Sequence, residues 1–191
     1  MSNKKSATNL KIRNAFSDLL NEKGINNLTV SDITRKANIN RGTFYLHYID
    51  KYDLLEQLEN EVLEANKAIF FKYNKENDDD LISFQSVLES LEYVKSNFNS
   101  VKGLIEGGDI KFVDKFKDVI RHTLQVKIEK SDILHYNKKH NLPKKYADEI
   151  LLCSIVSIVL LWIKDNALES PREVAEIIQK TKSIAPSELL L

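Results

Sequence analysis

The sequence predicts an all-α chain, and three observations predict it. Breakers are scarce, with 5 Gly and 3 Pro in 191 residues and no Pro before Pro143; this favours long helices over many short strands. Apolar residues recur at helical spacing, as Ile12, Ala15, Phe16, Leu19 and Leu20 do at i, i+3, i+4, i+7 and i+8. No segment alternates apolar and polar residues as a half-buried strand does.

The elements follow in order. A first helix is expected over 8–23, closed by Gly24. A second starts from Thr29 as N-cap, with Asp32 at N3 in a capping box and Leu28 and Ile33 placed for a hydrophobic staple. It ends near Ala37, and Asn38-Ile39-Asn40 forms a tight turn with Ile39 directed inward. A short third helix covers 41–47 from an Asn40 N-cap, with Phe44 and Tyr48 on its inward face. A fourth begins after Asp50, again with Asp at N3 (Asp53), and carries Leu54, Leu55, Leu58, Val62, Leu63, Ile69 and Phe70. Residues 74–80, NKENDDD, read as a solvated loop. Asp78, Asp79 and Asp80 point in different directions and lack the spacing of a calcium loop. Helices are further expected over 81–97, 112–130, 132–140 and 143–164, with Gly103 and Gly107-Gly108 as breaks. Ser170-Pro171-Arg172-Glu173 opens the last one, with Ser as N-cap, Pro at N1 and Glu at N3.

Composition narrows the function classes. Hydrophobic residues make up 42% and charged residues 29%, enough for both a core and a well-solvated surface. Formal net charge is zero, but residues 1–51 hold nine Lys/Arg against four Asp/Glu. The remainder holds nineteen against twenty-four, so a basic head sits on an acidic body. That points to a polyanion partner at one end only. The single Cys153 excludes an internal disulfide and suits a reducing compartment, here expected to be the cytoplasm. Residues 1–10 are polar, unlike a signal peptide. The apolar stretch 150–163 is shorter than a membrane span and reads as a buried helix, so no membrane partner is expected.

Residues 29–48 form the functional unit. A capped helix, a three-residue turn and a second short helix describe a helix-turn-helix. Only the major groove admits such a helix and shows a distinct pattern for each base pair. The face that enters it must carry donors and flat side chains without carboxylates, and residues 38–48 contain no Asp or Glu. Lys51 follows at the start of the next helix, where its amine and nearby backbone N–H groups suit a phosphate.

Residues 29–55, TVSDITRKANINRGTFYLHYIDKYDLL, resemble the DNA-binding signature of the TetR family. The resemblance rests on Thr29-Val30, Ile33, Ala37, Gly42-Thr43-Phe44-Tyr45, Tyr48, Lys51 and Leu54-Leu55, and covers about the first quarter of the chain. It implies a three-helix N-terminal helix-turn-helix domain followed by a larger helical ligand-binding and dimerisation domain, drawn here as 1–51 and 52–191. It further implies that Thr29, Thr43, Tyr45 and Lys51 hold phosphates, and that His47 touches the backbone. Gly42 lets the helix start come close to the DNA. Asn40, Arg41 and Leu46 fall where the family varies its base readers. Arg41 suits guanine and Asn40 adenine. Lys4, Lys5, Lys11 and Arg13 could add a flexible basic arm or salt-sensitive steering.

The resemblance implies a homodimer through the two C-terminal helices, about 143–164 and 171–181. Its recognition helices would then lie about 34–36 Å apart on a palindromic operator in double-stranded DNA. Trp162 either anchors that interface or packs internally. The pattern Trp162, Ser170-Pro171, Val174 and Ile178 is similar to the C-terminal domain of dihydroxyacetone-kinase-operon-type regulators, with no ligand or coactivator role carried over. Phe70, Tyr73, Phe84, Tyr93, Phe112, Phe116 and His122 are candidates to line an apolar effector site, although the effector-binding residues stay unknown. The expected function is a sequence-specific transcriptional regulator, a repressor under small-molecule control. The alternative is a coactivator or protein-interaction module on the same fold. No catalytic, metal or cofactor site is expected: the chain has no Gly-rich phosphate loop, HExxH or CxxC, and His47, His122, His135 and His140 lack ligand spacing.

Overall fold

The computed structural model describes residues 2–73, 82–109, 111–130 and 143–181, with side chains at 2–6, 127–130 and 144 excepted. The described residues form helices α1 (Ser2–Asn27), α2 (Val30–Lys36), α3 (Arg41–Tyr45), α4 (Lys51–Lys72), α5 (Phe84–Ser96), α6 (Phe98–Gly107), α7 (Phe112–Lys130), α8 (Lys144–Lys164) and α9 (Pro171–Thr181). The architecture is all-α. The loop expected at 74–80 and the short helix expected at 132–140 lie outside the described residues.

The chain divides into two compact units, 1–63 with 97–113, and 64–96 with 114–191. The boundary drawn from sequence after residue 51 falls inside the first unit, which also takes in α6.

In the first unit, α1 presents Ile12, Phe16, Leu19 and Leu20 to a core completed by Leu28, Ile33, Phe44, Tyr48, Leu54 and Leu58. Gly24 ends the regular part of α1 with φ 71° and ψ 165°, a left-handed departure that glycine adopts without a Cβ clash. α6 lies close along α1. The Ser17 and Ser100 hydroxyls are 2.8 Å apart, and Asn21 Nδ2 donates to the Asn99 carbonyl at 2.8 Å. Gly103, expected as a break, is instead inside α6. A Cβ there would come within 3.2 Å of the Ser17 carbonyl oxygen, and one at Gly107 within 2.1 Å of the Leu20 carbonyl oxygen. Both glycines are required by the approach of α1; Gly103 leaves its own helix uninterrupted, while Gly107-Gly108 ends α6 as expected.

In the second unit, α5 packs against α9 and α9 against α8. The capping box at the start of α9 forms: Ser170 N and Oγ donate to Glu173 at 2.8 and 2.7 Å. α8 is buried along Leu152, Ile155, Val156, Trp162 and Ile163. Trp162 packs internally, its Nε1 donating to the Glu169 carbonyl at 3.0 Å. The opposite face of α8, with Tyr146, Ile150 and Leu161, is exposed. Within the single chain the helix expected to be buried on several sides is buried on one side only. By length and composition α8 is long and apolar enough to cross a membrane, and 28% of its apolar window is buried within the chain.

Candidate nucleic-acid interface

The site is built in the first unit by three local devices. Thr29 caps α2: its Oγ1 accepts from Asp32 N at 3.2 Å, while Thr29 N donates back to Asp32 Oδ2 at 2.9 Å. Leu28 and Ile33, the staple pair, are fully buried. Asp32 also receives Lys23 at 2.8 Å and Arg35 at 2.6 Å, which ties α2 to α1. The Lys23 hydrogen bond, followed by those from Thr29, holds the Asp32 carboxyl far below the ordinary carboxylate range.

The turn is a Schellman arrangement. Asn38 has φ 53°, its N–H bonds the Arg35 carbonyl at 3.2 Å, and Ile39 N–H bonds the Thr34 carbonyl at 3.0 Å. Asparagine is the best non-glycine residue for that left-handed position. α3 then starts from Asn40, whose Oδ1 accepts from Thr43 N at 2.7 Å and Thr43 Oγ1 at 2.9 Å. α3 is shorter than expected: Leu46 is its C-cap and His47 lies in the turn beyond.

Phe44 and Tyr48 point inward, with ring centroids 5.7 Å apart. The Tyr48 phenol donates to Asn9 on α1, and its burial raises its pKa. Arg41, Gly42, Tyr45 and Leu46 face outward, with Thr43 and His47 half-buried at the edges. The Arg41 guanidinium donates to the Tyr45 phenol at 3.2 Å. Among the described residues Arg41 has no carboxylate partner, whereas Arg13 pairs with Glu61 and Lys36 with Glu22 and Asp18.

Three expected roles change. Asn40 Oδ1 is occupied as a helix cap, so its amide cannot present the donor–acceptor pair that adenine needs. Lys51 Nζ donates to the carbonyls of Ile25 at 2.8 Å and Leu28 at 2.9 Å, holding the α1–α2 connection to the start of α4. Its ammonium is a clasp inside the protein, and it lies 5.0 Å from the Tyr52 ring. The basic arm is absent as such: Lys4, Lys5, Lys11 and Arg13 all belong to α1. Sequence reading missed Ile49 and Tyr52, both exposed beside the motif; Ile49 is outside the buried Phe44/Tyr48 register, which was the available signal.

The pattern described as "Bacterial regulatory proteins, tetR family" matches residues 12–58, and that described as "Transcriptional regulator C-terminal region" matches 82–182. The chain belongs to the TetR family. This is a family of transcriptional regulators rather than enzymes. Among curated relatives, the uncharacterized HTH-type transcriptional regulator YxbF of Bacillus subtilis (strain 168) is 25% identical over 86% of the chain and 42% of its own length. The HTH-type transcriptional regulator SAR2658 of Staphylococcus aureus (strain MRSA252) is 31% identical over 49% of the chain and 50% of its own length. The chain thus spans about half the length, or less, of the curated relatives it matches. Two solved structures share the TetR-type fold. A TetR transcriptional regulator from Streptococcus agalactiae 2603V has a TM-score of 0.61, 22% identity and coverage of 94% and 96% of the two chains. The fatty acid degradation regulator FadR from Bacillus halodurans has a TM-score of 0.63, 15% identity and coverage of 91% and 93%.

The second unit of this TetR-family chain contains a small apolar cavity of about 20 Å³, room for about one water molecule. Phe70, Leu91, Val94, Phe116, Ile120 and Ile155 are among its lining. Among the described lining residues the polar one, Ser90, donates its hydroxyl to Asn66 at 2.5 Å. Of the seven expected lining residues, only Phe70 and Phe116 are there. Tyr73 binds Glu89, Phe84 lies under the Arg172 guanidinium, Phe112 is buried in the first unit and His122 rests edge-on against Phe71; Tyr93 is half-buried and outside the lining. Cys153 is half-buried, and its hydrogen bond to Glu149 at 3.2 Å raises the thiol pKa, which weakens it as a nucleophile.

Proposed function

We propose that this TetR-family chain is a cytoplasmic, dimeric repressor that binds a palindromic operator through α3 and is controlled by a small apolar effector. The observation that carries the reading is the outward face of α3: free of acids, exposed, and holding an Arg41 that no carboxylate among the described residues neutralises. Thr43, Tyr45 and His47 border that face and reach phosphates, Thr29 holds the start of α2 beside them, and bare Gly42 lets the helix approach closely. Lys51 serves the phosphates indirectly, by fixing the N-terminus of α4. The exposed stripe of α8, with Ile177 of α9, supports pairing with a second copy. The cavity's apolar lining supports an uncharged effector, since among the described residues no charged side chain lines it, and it must widen to admit one.

Electrophoretic shift of the chain's own promoter region tests the reading. The expected result is a complex that survives competitor DNA and weakens steeply with salt. Binding of equal strength to any sequence, or none, would favour a role through protein contacts instead. A thermal-shift screen of apolar compounds tests the effector: stabilisation that also dissolves the DNA complex is expected.

A further inference from the structure

We infer that α3 reads its half-site chiefly through two residues, Arg41 on a guanine and Leu46 on a thymine methyl. This rests on the DNA-binding reading above and names the operator chemistry that the reading leaves open.

The inference comes from what the local hydrogen bonds withdraw. The major groove is read by donors, acceptors and apolar contact with the thymine C5-methyl. Asn40 has its acceptor engaged twice by the cap of α3, and the Thr43 hydroxyl is turned onto that same oxygen. Gly42 carries no side chain. The Tyr45 phenol oxygen accepts from Arg41 at 3.2 Å, which keeps its O–H but ties the end of the ring to the guanidinium. Two outward side chains keep their full reading groups. Arg41 uses one of its five N–H donors on Tyr45, which leaves the others for the O6/N7 pair of guanine. Its contact with Tyr45 also fixes the direction of the guanidinium, which otherwise would be free to turn. Leu46, 77% exposed, follows one turn after bare Gly42 and offers only hydrocarbon.

Arg41 and Leu46 are five residues apart, and Leu46 keeps helical backbone angles at φ −75° and ψ −15°. Five residues rise about 7.5 Å along a helix, or about two steps of a DNA strand. The guanine and the thymine therefore lie about two to three base pairs apart in each half-site.

The test is selection of sites from a random pool with the full chain, followed by anisotropy titrations of the selected DNA carrying single replacements. Deoxyuridine for thymine removes one methyl, and 7-deazaguanine for guanine removes N7. At one thymine the wild type should weaken about fourfold, the scale of one buried methyl, and L46A should show no difference between the two DNAs. At one guanine the wild type should weaken about 5- to 150-fold, with R41A indifferent. L46A should keep the wild-type dependence on salt, since no phosphate contact is lost. Leu46 is exposed, so its loss leaves the fold intact; a helix signal in circular dichroism verifies that. Wild-type affinity indifferent to every methyl, or a methyl effect that persists in L46A, overturns the inference and leaves the DNA-binding reading standing. A pool that yields no preferred site overturns both.

Discussion

The ammonium of Lys51 lies 2.8 Å from the carbonyl oxygen of Ile25 and 2.9 Å from that of Leu28. A residue at a position associated with phosphate contact thus closes the ring between the end of α1 and the start of α4. Replacing it with Met keeps the stem and removes the donor. The expected cost is about 1.5 kcal/mol of stability, the lower end for a hydrogen bond to a charged group. DNA affinity should fall with an unchanged salt slope, because the charge is not on a phosphate. Urea unfolding and a salt titration of binding check this. Unchanged stability with a slope reduced by about one would return Lys51 to the phosphate.

Asp32 links α1, α2 and the Thr29 cap, and its pKa is lowered in the folded chain. A group whose folded pKa is depressed contributes stability above its unfolded value, and that contribution disappears as pH falls through the folded one. The unfolded value for Asp is about 3.9. Stability should therefore decline as pH drops below about 4, and D32N should be less stable at neutral pH with a shallower decline. Unfolding followed by circular dichroism between neutral and acid pH measures both. Parallel acid limbs for the two proteins would sink the assignment.

Asn38 holds a left-handed backbone at the turn. N38G should be tolerated, and N38A should cost about 1 kcal/mol, the penalty of a Cβ there. The same order should appear in DNA affinity, since the turn sets the direction of α3. Equal stability of the two variants would contradict the turn geometry.

Gly107 and Gly103 rank differently against α1. A Cβ at Gly107 would overlap the Leu20 carbonyl at 2.1 Å, and one at Gly103 would press on Asn21 and Ser17 at 3.1 and 3.2 Å. G107A should destabilise by about 2–3 kcal/mol, in the range of overpacked cores, and G103A by about 1 kcal/mol. The reverse order in thermal unfolding would show that α6 does not rest on α1 in this way.

What was legible in the sequence is what neighbours along the chain decide. Thr29 with Asp32, Ser170 with Glu173, and Gly24 declare helix ends within four residues, and all three form as read. Gly103 was misread because its partner, Ser17, is eighty-six positions away. The carbonyl contacts of Lys51 were hidden for the same reason: such partners leave no mark on composition. In the candidate site, the inward pair Phe44 and Tyr48 was plain from spacing, whereas the engagement of Asn40 by Thr43 had to compete with a base-reading role that the residue type permits equally. The cavity was least legible. Periodicity tells which side of a helix is apolar, and Tyr73 or Phe84 on such a side can still meet a charged neighbour, as each does here.

The exposed side of α8 gives the last prediction. Tyr146, Ile150 and Leu161 are separated by four and eleven positions, which places them along one helical stripe, and Ser157 lies exposed between them. A second copy related by a two-fold axis would bury the stripe against itself. I150E puts a charge in that contact without touching the core of its own chain, since Ile150 is 62% exposed. The variant should sediment as a folded monomer where the wild type sediments as a dimer. Its affinity for one half-site should be unchanged, because α3 is untouched, while affinity for the full palindrome should fall by at least tenfold, as two linked binding events become independent. A variant that remains dimeric would move the interface elsewhere; a monomeric variant with undiminished affinity for the palindrome would mean that pairing takes no part in operator recognition.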